Sequence, residues 1–156
     1  MPDLFIVFIA AMAPIGELRA AIPLGLTTYD LSWPSVYAVA VAGNLIPVPL
    51  LLLALRRVGA KTERMDNRIG ALLRWRTQRL EEHWSGLAQR YDFLAVVLLV
   101  AIPLPFTGAW TGSLAVWSLR VPSIRGVAAI VVGVAIAGAI VTALTEAGMS
   151  LLRVTG

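Results

Sequence analysis

Apolar residues run along this chain in four long stretches: Leu4 to Leu26, Ser35 to Leu55, Phe93 to Leu119 and Gly126 to Leu152. Each approaches the ~20 mostly apolar residues that a helix needs to cross a bilayer. The fourth is an unbroken run rich in Val, Ala, Ile and Gly, and it predicts a simple spanning helix. The first three are interrupted. Pro14, Gly16, Glu17, Arg19, Pro23 and Gly25 fall in the first stretch, and Gly43-Asn44, Pro47 and Pro49 in the second. The third holds Pro103, Pro105, Thr107, Gly108 and Gly112. Proline removes a helical donor and clashes with the preceding turn, and glycine lowers helix propensity. Pro14, Pro23, Pro47, Pro49, Pro103, Pro105, Gly108 and Gly112 are therefore expected to be structural breaks.

Between the second and third stretches the pattern changes. Met65, Ile69, Leu72, Leu73, Leu80, Trp84, Leu87 and Tyr91 recur at three- and four-residue steps, with Arg64, Arg68, Arg74 and Arg79 between them and Arg76 interrupting the apolar face. This predicts an amphipathic basic helix or helix pair suited to the inner-leaflet surface. Its bland reading is a connector that anchors topology.

The two halves share a plan: a Pro/Gly-broken apolar stretch, a short connector, then a second apolar stretch. The connectors Trp33-Pro34-Ser35 and Val121-Pro122-Ser123 lie 88 residues apart. Transporters are often built from such repeats, with broken helices in corresponding positions. The reading is one membrane domain over 1–156, with a first repeat at 1–55, a basic segment at 56–92 and a second repeat at 93–156.

Composition narrows the class. The chain is 58% hydrophobic and 14% charged, with a mean hydropathy of +0.81. Soluble domains are about 45–50% apolar and about 25% charged, so an ordinary soluble enzyme is excluded, and so is disorder. There is no cysteine and a single histidine, His83. No metal, no cofactor and no enzymatic activity are expected. Ala11-Met12-Ala13 resembles a signal-peptide cleavage site, but Met-Pro-Asp carries no basic residue and Pro14 would begin the mature chain, so the stretch is read as retained.

A net charge of +4 and a pI near 10.3 would suit nucleic acid only if the charge were spread. It is not. Arg56 to Asp92 holds nine of the thirteen basic and five of the nine acidic residues, which reads as a cytoplasmic segment under the positive-inside rule. No nucleic-acid partner is expected. If all four stretches span, Arg120 and Arg125 face outward. If the first and third are re-entrant hairpins, those two join the basic segment inside and only Arg153 lies outside. The second arrangement makes the halves inverted copies. It is favoured because irregular backbone at membrane depth is tolerated only when buried in protein or lining a cavity.

Charges inside a bilayer are costly and usually functional, and Glu17 with Arg19 is the pair deepest in an apolar stretch. Asn44 sits near mid-depth of the second stretch, as an inter-helix bond or a substrate ligand. Thr107, Trp110, Thr111 and Ser113 supply hydroxyls and an indole in the third, beside Gly108 and Gly112, which also fit small-residue packing. Glu146 falls near a helix end and is set aside.

Three blocks are more distinctive than composition: Pro14-Ile15-Gly16-Glu17-Leu18-Arg19-Ala20-Ala21-Ile22-Pro23-Leu24-Gly25, Gly43-Asn44-Leu45-Ile46-Pro47-Val48-Pro49, and Ala101 through Ser113. Together they resemble the small multi-drug export protein family of bacterial and archaeal membrane proteins, with Phe106 as a departure before Thr107. Two hairpins with acidic and arginine residues near proline breaks also look, more distantly, like the DedA superfamily, associated with lipid carriers such as polyprenyl phosphates. The small multidrug resistance transporters share only size and an intramembrane Glu. These resemblances imply an all-α polytopic protein of a prokaryotic cytoplasmic membrane that exports small molecules. The residues point to a midplane cavity around Glu17, Arg19, Asn44 and the Thr107 to Ser113 tip, and because 156 residues with so few full spans enclose little cavity alone, a homodimer is expected. Glu17 would take a proton or a cationic substrate, and Arg19 would hold an anionic head group or tune Glu17. The rivals are a lipid-carrier flippase and a non-transporting membrane scaffold.

Overall fold

A computed structural model describes residues 2–59, 61, 67–102 and 107–155. Among them the chain is all-helical, with no strand. The first broken stretch forms α1 (Pro2–Met12) and α2 (Glu17–Pro23), the latter running on through a π-helical turn at Leu24–Thr28. α1 ends where Pro14 has no N–H to continue the ladder. The chain then reverses through Gly16, at φ 91°, and Glu17, at φ 51°. Pro23 does not end α2. Where its donor is missing the backbone widens to π pitch, and the N–H of Tyr29 reaches the Leu24 carbonyl at 3.3 Å.

The second stretch forms α3 (Trp33–Leu45) and α4 (Pro47–Ala54), followed by a π turn at Leu55–Gly59. Ile46, between them, has helical angles of φ −56° and ψ −46°. Pro47 and Pro49 therefore interrupt the helix at Ile46 without turning the chain, because a proline in the first turn of α4 gives up donors that have few partners there. Trp33–Arg57 is continuous enough, at a mean hydropathy of 2.2, to cross a membrane.

The long helix among the described residues of the basic segment is α5 (Arg68–Arg90), capped by Asn67, whose Oδ1 accepts the N–H of Gly70 at 2.8 Å. Its Leu80 is buried against Leu99 and Ala115. Met65, and the side chains of Trp84 and Leu87, lie outside the described residues. The third stretch divides into α6 (Asp92–Ala101) and α7 (Ala109–Ser118), and Pro103 and Pro105 between them also lie outside the described residues. α8 (Ser123–Thr155) is the unbroken helix that the fourth stretch predicts, and Ser123–Val154 is the second candidate membrane span.

Helix directions follow from which residues meet. α1 and α3 run parallel: Val7 and Val36 both flank Gly25, and further along Gly43 backs onto the Phe8 carbonyl and Ala11. α6 and α8 are also parallel. Asp92 pairs with Arg125 at 3.6 Å near their starts, and Val97 and Val100 meet Gly133 a few turns on. α3 and α8 are antiparallel, since Trp33 shares a cleft with Glu146 while Tyr37 donates to the Ala135 carbonyl at 3.0 Å. The order α1–α2–α3 recurs as α6–α7–α8 about 90 residues later. Asp30 and Arg120, left-handed at φ 49° and 56°, follow the two return helices α2 and α7.

The core lies where these six helices converge, around Leu18, Ile22, Val36, Val96, Val100, Val116, Ile130 and Val134. The outer faces are apolar too, with Leu50 and Leu144 largely exposed, and an apolar surface of this extent is matched by lipid rather than by water.

Candidate functional site

The two breaks meet. α2 begins at Glu17, whose side chain is 6% exposed, and α7 begins at Ala109 directly opposite. The N–H of Ala109 donates to Glu17 Oε2 at 3.0 Å and that of Trp110 to Oε1 at 3.3 Å. Asn44 Nδ2, from α3, donates to Oε2 at 3.3 Å. The carboxylate thus occupies the helix N-terminus of α7, where unpartnered N–H groups and the helix dipole favour a negative charge.

Gly108 makes the approach possible. Its φ is 152°, which L side chains rarely adopt, and a Cβ built there would fall on the Glu17 carboxylate itself. Gly16 turns the other break, at φ 91°, where a Cβ would lie 2.7 Å from that of Ala20. Two further contacts tie the breaks together. Arg19 Nη2 donates to Thr107 Oγ1 at 2.8 Å, and the Thr107 hydroxyl donates to the Ile102 carbonyl at 2.8 Å. The Trp110 indole N–H reaches the Met12 carbonyl at the end of α1, at 3.2 Å.

Beside this junction opens a cavity of about 760 Å³, a size typical of small-molecule sites. Glu17, Arg19, Thr107 and Trp110 form its polar end. Leu51 and Leu55 wall it from the α4 side, Ile69 and Leu72 from α5, and Leu114 from α7. Arg76 enters it from α5 and donates through Nη1 to Thr111 Oγ1 at 3.4 Å.

Of the residues expected to form the site, Glu17, Arg19, Thr107, Trp110 and Thr111 line this cavity. Asn44 is fully buried behind Glu17 as an inter-helix bond, its Oδ1 lacking a partner among the described residues. Ser113 is also fully buried, and its hydroxyl donates back to the Ala109 carbonyl at 2.8 Å, away from the cavity. Gly112 is a packing residue, seated against Val100 and Ile130. Arg76 is the residue that sequence reasoning passed over. Its interruption of an otherwise apolar helical face was the available signal. Among the described residues no cluster of three His, Asp or Glu side chains could hold a metal ion.

A sequence model of the family described as Putative small multi-drug export protein matches residues 17–140. No curated protein and no solved structure matches the chain.

Proposed function

The chain belongs to the small multi-drug export protein family, and from that premise we propose that it is a membrane transporter of small amphipathic molecules, built from two inverted halves. In this reading each half pairs a re-entrant hairpin, α1–α2 or α6–α7, with a spanning helix, α3–α4 or α8. Parallel α1 and α3, parallel α6 and α8, and antiparallel α3 and α8 are what such an inversion requires. With α5 at the cytoplasmic face, eleven Lys and Arg fall inside, only Arg153 falls outside, and Arg19 sits at the hairpin tips. The observation that carries the transport reading is the cavity at the meeting point of the two breaks. Broken helices in corresponding positions are where transporters bind substrate.

Two experiments test it. Cysteines replacing Asp30 and Ile124, both exposed, label from opposite sides of sealed vesicles, and labelling from one side refutes the inverted arrangement. Proteoliposomes flux fluorescent amphiphiles, and the double variant Glu17→Gln with Arg19→Ala loses that flux. Unchanged flux in the double variant refutes transport through this cavity.

A further inference from the structure

We propose that a second site, at the end of the Trp33–Arg57 span away from the basic segment, binds an organic ammonium group against the rings of Trp33 and Tyr37 and the carboxylate of Glu146. It stands independently of the transport reading. The site is a cleft of about 360 Å³ between α3 and α8, lined by Trp33, Tyr37, Ala139, Thr142, Ala143 and Glu146. Trp33 and Tyr37 lie one turn apart at the start of α3 and so share a face of that helix. On α8 the lining residues fall at 139, 142, 143 and 146, the spacing of a single helical stripe. Two of them are alanines, whose short side chains leave the space open. Tyr37 is fixed against α8. Its hydroxyl donates to the Ala135 carbonyl at 3.0 Å, and its ring lies so near that a Cβ on Gly138 would come within 2.9 Å of it. With the hydroxyl spent, what Tyr37 offers the cleft is its ring.

Three unspent features meet here. Among the described residues Glu146 has neither a hydrogen bond nor an ion pair, and no basic residue shares the lining. The nearest basic residue along α8 is Arg153, seven residues on and about 10 Å away at the helical rise. The Thr142 hydroxyl is buried with no partner among the described residues. Helical threonines can bond a carbonyl of their own helix, as Thr145 does to Val141 at 2.8 Å, so an unpartnered one in a cleft marks a bond for a ligand to complete. Trp33, 55% exposed, keeps its indole open to the cleft mouth. A metal ion would find a single carboxylate, an anion would be repelled by it, and a neutral apolar molecule would leave carboxylate and hydroxyl unused. An organic ammonium uses all three. Its charge pairs with Glu146, its carbon substituents lie against the aromatic rings, and an N–H of a primary ammonium donates to Thr142. Trp33 begins the span, at the head-group depth where tryptophan is enriched, so a lipid head group and a free cation both reach the cleft.

The test uses purified full-length protein in a neutral detergent and three radiolabelled probes: tetraethylammonium, lysophosphatidylethanolamine and, as a chain-matched control without an ammonium group, lysophosphatidylglycerol. The two ammonium probes bind and the control does not. A preference for lysophosphatidylethanolamine identifies a lipid head group as the source, and a preference for tetraethylammonium identifies a free cation. Glu146→Gln weakens ammonium binding about tenfold or more, as expected for a lost interaction with a charged group, and Glu146→Asp recovers part of it. Trp33→Ala weakens it about two- to fivefold and Trp33→Phe less, in line with a cation resting on a ring. Because Glu146 is exposed, ligand-free Glu146→Gln keeps the wild-type Tm, and the ammonium probes raise the Tm of wild-type protein but not of this variant. Equal binding of the two lysolipids, or ammonium binding unchanged in both Glu146→Gln and Trp33→Ala, overturns the proposal. So does binding that is lost in the Glu17→Gln, Arg19→Ala double variant but kept in Glu146→Gln. Ammonium binding at Glu146 without flux in proteoliposomes upholds this site and refutes the transport reading alone.

Discussion

The junction between the two breaks makes a quantitative prediction about Gly108. A Cβ at that position falls on the Glu17 carboxylate, so Gly108→Ala must push the carboxylate off the N–H groups of Ala109 and Trp110. Hydrogen bonds to a charged group contribute about 1.5–3 kcal/mol each, and two are at stake. Alanine must also adopt φ 152° or shift the turn, which adds about 1–3 kcal/mol. The single substitution therefore destabilises by about 4 kcal/mol or more. Glu17→Ala removes the same bonds and leaves two buried donors and the Asn44 amide unpaired, for a loss of about 3 kcal/mol or more. With the carboxylate already gone, however, Gly108→Ala has nothing to displace, and only the backbone strain of about 1–3 kcal/mol remains. The double variant should thus be about 3 kcal/mol more stable than the sum of the singles implies. The measurement is reversible unfolding in mixed micelles of neutral detergent and dodecyl sulfate, followed by far-ultraviolet circular dichroism across all four corners of the cycle. Effects that add to within about 0.5 kcal/mol, as for independent sites, would refute the account of Gly108 as the residue that admits Glu17.

Three other outcomes are expected. Gly43→Ala places a methyl group 2.5 Å from the Phe8 carbonyl oxygen, and prying α1 from α3 lowers stability by about 1–3 kcal/mol, visible as a lower Tm in detergent. Asn67→Ala removes the cap of α5 at a loss of about 1 kcal/mol, read as faster proteolysis within 68–90 with α8 unaffected. Asp92→Asn breaks the pair with Arg125, whose side chains are 30% and 66% exposed, and the Tm should barely move because such pairs contribute about 0–1 kcal/mol.

Much of this architecture was legible in the apolar pattern. The unbroken fourth stretch is one long helix, and the Pro14 to Gly16 and Gly108 positions are where the chain turns. Glu17 was conspicuous because so few charges interrupt the stretches. Its role was less legible. Besides the Asn44 amide, its partners are two backbone N–H groups more than ninety residues away, and backbone groups leave no residue-type signature. Pro47 and Pro49 looked like the Pro14 break because proline has the same chemistry everywhere. What differs is position: at the start of a helical turn the missing donor costs little, and no clash forces an end. Ser113 and Thr111 lie two residues apart on α7 and so point to different sides. One bonds within its own helix and the other faces the cavity, a choice set by which neighbour packs alongside rather than by either residue.

The bonds between Glu17 and α7 also bear on how the protein is made. Glu17 and Ala109 are 92 residues apart, and at about 5–20 residues per second a ribosome needs about 5–20 s to cover that distance. For that interval Glu17 lacks the two backbone N–H donors of α7 and has at most the Asn44 amide, 27 residues downstream. An ionised group without partners is not stable in hydrocarbon, so until then Glu17 must either stay close to water or carry a proton. Only the arrival of α7 completes its hydrogen bonds. The highly charged segment 56–92 is synthesised during the delay. Assembly of this membrane domain is therefore timed by translation, with the last piece of the first half supplied by the second.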